Sequence, residues 1–374
     1  MRLLLAIVVL ASNLLSGQST VRIGQEYTFH GRIHNKYPIT LVFQQYENGK
    51  VKGIYYYDKI GTPIELEGHS HSGGYELKTT AFGFNESFSL KIFHNELMGK
   101  WRSTNKSFSV NVDRQTNPTR FLYIDEKVTA TELGIDGDWP TGEIQLQLPI
   151  PNGADTIEQA ILIHSFNIMN NLQLGFENAS AFRVTEEMEN GVWNLGNQIK
   201  MQMKRFADTF LMRYKRDMKS RFKQTNGDVH SLNNVTFHRT VRTGYNSERY
   251  QVLYDSYYEF TGGAHGLYRS GHNSIDKKRG RWAGITDFIP EKELESTIPK
   301  LMNTYYRKAN GIPTGESLKK HSLWIDDFSG LGGDTYITDL GLHTSFGIYE
   351  IAPYSEGEIN VFIPMSELKK LSKK

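Results

Sequence analysis

His265 stands in a run of small residues, Gly262-Gly263-Ala264-His265-Gly266, directly after the aromatic stretch Tyr257-Tyr258-Glu259-Phe260. Three glycines around one imidazole let the backbone turn sharply and leave little bulk beside the ring, so His265 can be presented to solvent or to a ligand. A hairpin turn whose imidazole bonds a neighbouring strand fits the same residues. His272 and Asp276 follow on the returning segment. If they faced His265, two imidazoles and a carboxylate would form a metal site of the kind a hydrolase uses to activate water. No diagnostic ligand motif accompanies them, so neither a metal nor a cofactor is expected.

Other chemistry-bearing groups are more dispersed. His69-Ser70-His71 would place two imidazoles on one face of an extended segment, and the flanking Gly68 and Gly73-Gly74 read as an exposed hairpin loop. Tyr55-Tyr56-Tyr57 put aromatics on both faces of a strand, with at least one ring near solvent, where it could stack on a sugar or pack a barrel rim. Between Lys200 and Lys223, nine basic residues stand against Asp208 and Asp217. That pattern is a solvated helix face or a surface attracted to anionic wall polymer or lipopolysaccharide. The sequence contains no Gly-x-Ser-x-Gly elbow, phosphate loop or His-Glu-x-x-His helix, and the absence of cysteine excludes a thiol nucleophile.

The elements that must position these groups fall into two kinds. From about Gln25 to Val112, short alternating runs such as Ile39 to Gln45 and Ser87 to Phe93 are separated by glycine and asparagine turns. This predicts an antiparallel β-meander of six to eight strands, closed as a small barrel or folded as a sandwich, at residues 24–113. Residues 114–130 read as a linker. The remainder, 131–374, mixes strands with helices, which makes the whole chain α+β. A strand is expected at Gly142 to Pro149, a helix at Thr156 to Met169 capped by Asp155, and a longer helix from Gly196 to Phe222. Two strands precede the glycine turn, a helix near Glu291 to Ala309 follows it, and three strands close the chain after Asp334.

Of 374 residues, 43 are basic and 41 acidic, a net charge of +2 that argues against a nucleic-acid partner. Met1-Arg2 precedes an apolar run from Leu3 to Leu15, too short for the roughly 20 residues a membrane-spanning helix needs. It reads as a signal peptide at residues 1–17, with an exported product, periplasmic or extracellular. No later segment reaches transmembrane length. Oligomeric state leaves no mark in the sequence.

The aromatic strand into Gly262-Gly263-Ala264-His265-Gly266, followed by Asn273-Ser274-Ile275-Asp276 and Thr286-Asp287-Phe288, resembles the C-terminal domain family of the lysozyme-responsive anti-sigma factor RsiV and of peptidoglycan deacetylases such as PdaC. The segments from Tyr349 to Gly357 and from Ile363 to Leu368 resemble that family's ending. The resemblance spans roughly residues 140 to 370. It implies work at the bacterial wall in a domain family largely of unknown function, one member of which binds lysozyme. Neither the sensor's membrane helix nor the deacetylase's metal-binding His-Ser/Thr-x-x-x-His pattern occurs here. The reading is therefore a non-catalytic envelope module that recognises a wall glycan or a protein such as lysozyme. Its binding residues would be Tyr258, Gly262, Gly263, His265, Gly266, His272 and Asp276. The rival reading is a metal-assisted hydrolase acting on cell-wall material through His265, His272 and Asp276.

Overall fold

Strict alternation of inward and outward side chains builds the N-terminal strands. They are β1 (Arg22–Ile33), β2 (Tyr37–Gln45), β3 (Lys50–Tyr57), β4 (Ile64–His71), β5 (Gly74–Thr79), β6 (Glu86–Phe93), β7 (Glu96–Ser103) and β8 (Lys106–Arg114). Each pairs antiparallel with the next, and β1 also pairs with β8, Phe29 opposite Arg114 through Ile33 opposite Val110. This closes an eight-stranded barrel and removes its edges. At the closure, a Cβ on Gly31 would lie 2.0 Å from the Asn111 carbonyl oxygen, so only glycine fits. In β7 the inward positions are Leu97, Gly99 and Trp101, and the missing side chain at Gly99 weakens the apolar alternation in the sequence. The structure, a computed structural model, describes residues 19–61, 63–79, 85–115, 118–135, 140–153, 155–174, 192–228 and 232–371. The expected signal peptide lies outside these residues.

The chain divides into two compact units, each discontinuous in sequence. Among the described residues, one comprises those within 24–120, 241–256 and 268–371, and the other those within 19–23, 121–240 and 257–267. The expected linear division into 24–113 and 131–374 thus separates stretches that share a unit. Within the expected linker, Thr119–Val128 forms β9, because Phe121, Leu122, Tyr123 and Ile124 supply four successive buried side chains. Among the described residues, no helix is long and apolar enough to cross a membrane.

In the first, barrel-bearing unit, two cores share the barrel wall. Ile39, Leu41, Phe43 and Tyr55 point into the barrel, whereas Val42, Ile54 and Tyr56 on the opposite face join a second core. That is why β2 is buried almost throughout and does not alternate with solvent. Tyr55 and Tyr56 are both fully buried, on opposite faces, and Tyr57 alone of the three is partly exposed. The second core is completed by portions of β11 (Val235–Asn246) and β12 (Tyr250–Phe260), by the segment after β13 (Leu267–Asp276), and by a three-stranded antiparallel sheet. That sheet consists of β15 (Asp334–Ile337), β16 (Gly341–Phe346) and β17 (Ile359–Pro364). The hairpin strand β14 (Arg281–Trp282) pairs with the end of β13.

The second unit is built around β10 (Gly142–Pro149), antiparallel to β9 and parallel to the first half of β11. Helix α1 (Thr156–Leu174) begins where expected, and Asp155 caps it by accepting the backbone N–H groups of Ile157 at 2.9 Å and Glu158 at 2.8 Å. Helix α2 (Val192–Gln224) buries Ile199, Met203, Ala207, Leu211, Tyr214 and Met218. Phe206 and Phe210 flank this buried row and reach Phe237 at 5.1 and 6.2 Å. In the barrel-bearing unit, the expected helix at Glu291 to Ala309 is interrupted at Thr297, giving α3 (Glu291–Ser296) and α4 (Ile298–Asn310), because Pro299 sits in the first turn of α4. Helix α5 (Met365–Leu371) follows β17.

Candidate functional site

The glycine turn lies in the second unit between β12 and β13. Gly262 and Gly263 have φ of +111° and +101°, a region that excludes a side chain without strain. A Cβ on Gly266 would meet the Tyr258 ring at 2.5 Å, so Tyr258 is packed against the turn. Its other neighbour is His238, whose Nε2 lies 2.9 Å from Glu143 Oε1. That hydrogen bond holds the Glu143 carboxyl below its ordinary range. His265 is exposed, with Nδ1 3.3 Å from the Gly266 carbonyl oxygen.

His272 and Asp276 lie on β13 in the barrel-bearing unit, each with its own partners. Asp276 is 1% exposed. It accepts the backbone N–H groups of Lys278 and Arg279, and it stands 3.5 Å from Arg249. These contacts fix the β13–β14 hairpin. Among the described residues, no group of three or more histidine and carboxylate side chains gathers as a metal site would require.

His272 is held by a residue that the sequence reading did not single out. Asp334 at the head of β15 approaches its Nδ1 at 2.6 Å and accepts its backbone N–H at 2.8 Å, and both side chains are 11% exposed. The imidazole is stacked on Tyr336 at 4.3 Å and packs on Tyr254 at 5.0 Å, and Tyr336 in turn stacks on His343 at 4.6 Å. Around this column, Ser270 donates to Glu358 at 2.6 Å, the hydroxyls of Tyr254 and Tyr268 meet at 2.6 Å, and Arg242 lies over Tyr254 while pairing with Glu65. Burial raises the Glu358 carboxyl and both tyrosines. A carboxylate that orients an imidazole is the second half of an acid–base device. Here Nδ1 of His272 is committed to Asp334, and its Nε2 is buried within the packed column.

His343 makes the column acid-sensitive. Burial, reinforced by nearby His272, pushes its pKa down from 6.5 to about 3. The folded state therefore binds fewer protons than the unfolded chain below pH 6.5. Stability is intact above 6.5 and falls by about 1.4 kcal/mol per pH unit as the pH drops toward the folded value. Glu358, with a raised folded pKa, opposes this trend below neutrality. His343→Phe keeps a ring between Tyr336 and Phe362 and removes the titration. Urea midpoints measured from pH 7.5 to 5 should fall less steeply for the variant; equal slopes would exclude His343 as the cause.

Exposed aromatic side chains lie elsewhere in this unit. Trp324, Tyr349 and Tyr354 are 50%, 50% and 42% exposed. The Trp324 and Tyr349 rings are 6.4 Å apart at 17°, and Tyr349 and Tyr354 are 5.7 Å apart at 48°. The row is held from beneath. The Trp324 backbone N–H donates to the Ile351 carbonyl at 2.7 Å, joining the loop after α4 to the β16–β17 connection. Tyr349 is kept at φ +67°, a left-handed conformation that costs a non-glycine residue about 1–2 kcal/mol. Nearby, Glu350 accepts the Gly347 N–H at 2.7 Å. Single exposed aromatics are ordinary, but three in mutual contact form a patch. Trp324 stands far in sequence from Tyr349 and Tyr354, which hid the row.

Most of these residues lie in one stretch of chain. Residues 286–366 match DUF3298, a family described as a protein of unknown function. The DUF3298 stretch contains the aromatic row, Asp334, His343 and Glu358, but neither His272 nor the glycine turn. A crystal structure of a DUF3298 family member from Bacteroides fragilis matches with a TM-score of 0.52 at 15% identity, over 68% of this chain and 93% of that one. This is a likeness of fold. A DUF3298 family protein from Pseudomonas aeruginosa gives a TM-score of 0.40 at 12% identity, over 68% of this chain and 94% of that one. No curated protein matches the chain.

Proposed function

We propose that this chain is an exported binding module of the bacterial envelope that recognises wall glycan and does not catalyse a reaction on it. The observation that carries the reading is the exposed row Trp324, Tyr349 and Tyr354 within the DUF3298 stretch. Aromatic faces pack on the C–H faces of a sugar ring, and tyrosine hydroxyls can bond its hydroxyls. Export rests on the apolar run from Leu3 to Leu15, and the place of work on the resemblance to the RsiV and PdaC-type domain. The exposed turn at His265 is a further recognition element of the same reading. Commitment of His272 to Asp334 and of Asp276 to its hairpin favours binding over the hydrolase alternative.

Titration with soluble peptidoglycan fragments tests this. Trp324→Ala should weaken binding at least tenfold, equivalent to about 1.4 kcal/mol. Tyr349→Gly should weaken it similarly while stability stays within about 1 kcal/mol of the parent, since relief of the left-handed strain offsets the added freedom of the unfolded chain. Retention of lysozyme in place of the fragments would sink the glycan assignment. Turnover of the fragments abolished by His265→Ala would sink the non-catalytic one.

A further inference from the structure

A cleft of about 600 Å3 lies along α2 in the second unit and reaches Thr261 at the start of the glycine turn. That volume falls within the range of small-molecule sites, roughly 300–1,000 Å3. Leu172, Phe206, Phe210, Met218 and Val235 give it an apolar lining. Its charged lining comes from Arg205, Arg213 and Arg221, which share one i, i+4 row of the helix with Thr209 and Asp217. All three arginines are exposed, and none has an ion-pair partner among the described residues. Asp217 is engaged by Arg216 at 2.8 Å. The helix therefore sets a line of uncommitted guanidinium groups beside an apolar surface.

A second observation points to a ligand. Tyr214 lines the same cleft, is 4% exposed, and its buried hydroxyl has no hydrogen-bond partner among the described residues. Burial raises its pKa to about 12, which keeps the group a neutral donor near neutrality. A buried hydroxyl without a partner is costly to a fold, and a ligand oxygen would satisfy it. A bare polyanion would leave the apolar lining unused, and a neutral apolar ligand would leave the arginines unused.

We propose that this cleft binds a single-chain amphiphilic anion, its acyl chain against Phe206, Phe210 and Met218 and its carboxylate or phosphate headgroup on Arg205, Arg213 and Arg221. Tyr214 donates its hydroxyl to an oxygen of the same ligand. This site is distinct from the aromatic row that carries the glycan reading, which lies in the other unit, and it shares its own unit with the glycine turn.

Calorimetric titration of the full chain, below the critical micelle concentration, tests the assignment with dodecyl phosphate, dodecanoate, dodecyl maltoside and inorganic phosphate. The two anionic amphiphiles should bind at least tenfold more tightly than either the neutral detergent or inorganic phosphate, and their affinity should fall as salt rises. The double variant Arg205→Gln, Arg213→Gln changes only exposed side chains. It should lose at least tenfold for the anionic amphiphiles while its melting temperature and its weak affinity for the maltoside stay the same. Equal binding of dodecyl maltoside would reduce the cleft to an apolar surface, and equal binding of inorganic phosphate would make it a simple anion site. No binding of any amphiphile, or binding only to phosphatidylglycerol-containing vesicles, would overturn the proposal.

Discussion

Asp334→Ala should lower stability by about 2–4 kcal/mol, because it leaves two buried donors of His272 unpaired. Both oxygens of Asp334 are in use, one on the His272 backbone N–H at 2.8 Å and the other on the ring Nδ1 at 2.6 Å. The ring is packed between Tyr254 and Tyr336 and has no second polar contact, since its Nε2 is buried without a partner. Alanine would leave two donors facing apolar surface, and unmet donors cost more than the bonds themselves contribute. Adding His272→Phe to Asp334→Ala should recover part of the loss, because the ring nitrogen that needed the carboxylate is then gone. A urea-denaturation double-mutant cycle measures this. A coupling energy near zero would show that Asp334 does not pin His272.

Arg307→Met should cost about 2–4 kcal/mol, chiefly from carbonyl oxygens left without a donor because the Asp327 carboxylate is 67% exposed, and should also damage the aromatic row. The guanidinium, 7% exposed, donates to Asn303 Oδ1 at 2.7 Å, to the carbonyls of Glu316 and Asp326 at 2.8 and 3.2 Å, and to Asp327 Oδ1 at 2.8 Å. One side chain on α4 thereby anchors both ends of the loop that carries Trp324. Methionine fills the volume but leaves two carbonyl oxygens without these donors. Arg307→Lys should restore little, because a single ammonium cannot reproduce the planar fork. The distinguishing result is binding: peptidoglycan fragments should lose at least tenfold affinity even at temperatures where the variant remains folded. Full affinity in a destabilised but folded Arg307→Met protein would separate the loop anchor from the recognition surface.

Some of this was legible in local sequence. The turn residues of the meander marked most of the barrel strands, Asp155 marked the start of α1, and the spacing of apolar residues marked α2 nearly to its ends. The resemblance read over residues 140 to 370 takes in the stretch 286–366 that matches DUF3298. His265 was rightly placed on a glycine turn, because φ values near +100° at Gly262 and Gly263 are a property of the residues themselves. The break between α3 and α4 was also written locally, in Pro299, although the apolar pattern runs across it.

What local pattern carries is what neighbours in the chain decide: helix or strand, cap or turn, inward or outward face. Pairing across long separations is a different quantity, since it depends on which surfaces meet after the chain has closed. Only tertiary structure joined β1 to β8, gave β2 and β3 a core on each face, and brought His272 to Asp334 across 62 positions. It alone set Trp324 beside Tyr349. No periodicity records such meetings, because the favourable free energy comes from burial and hydrogen bonding between partners whose spacing in the chain is arbitrary.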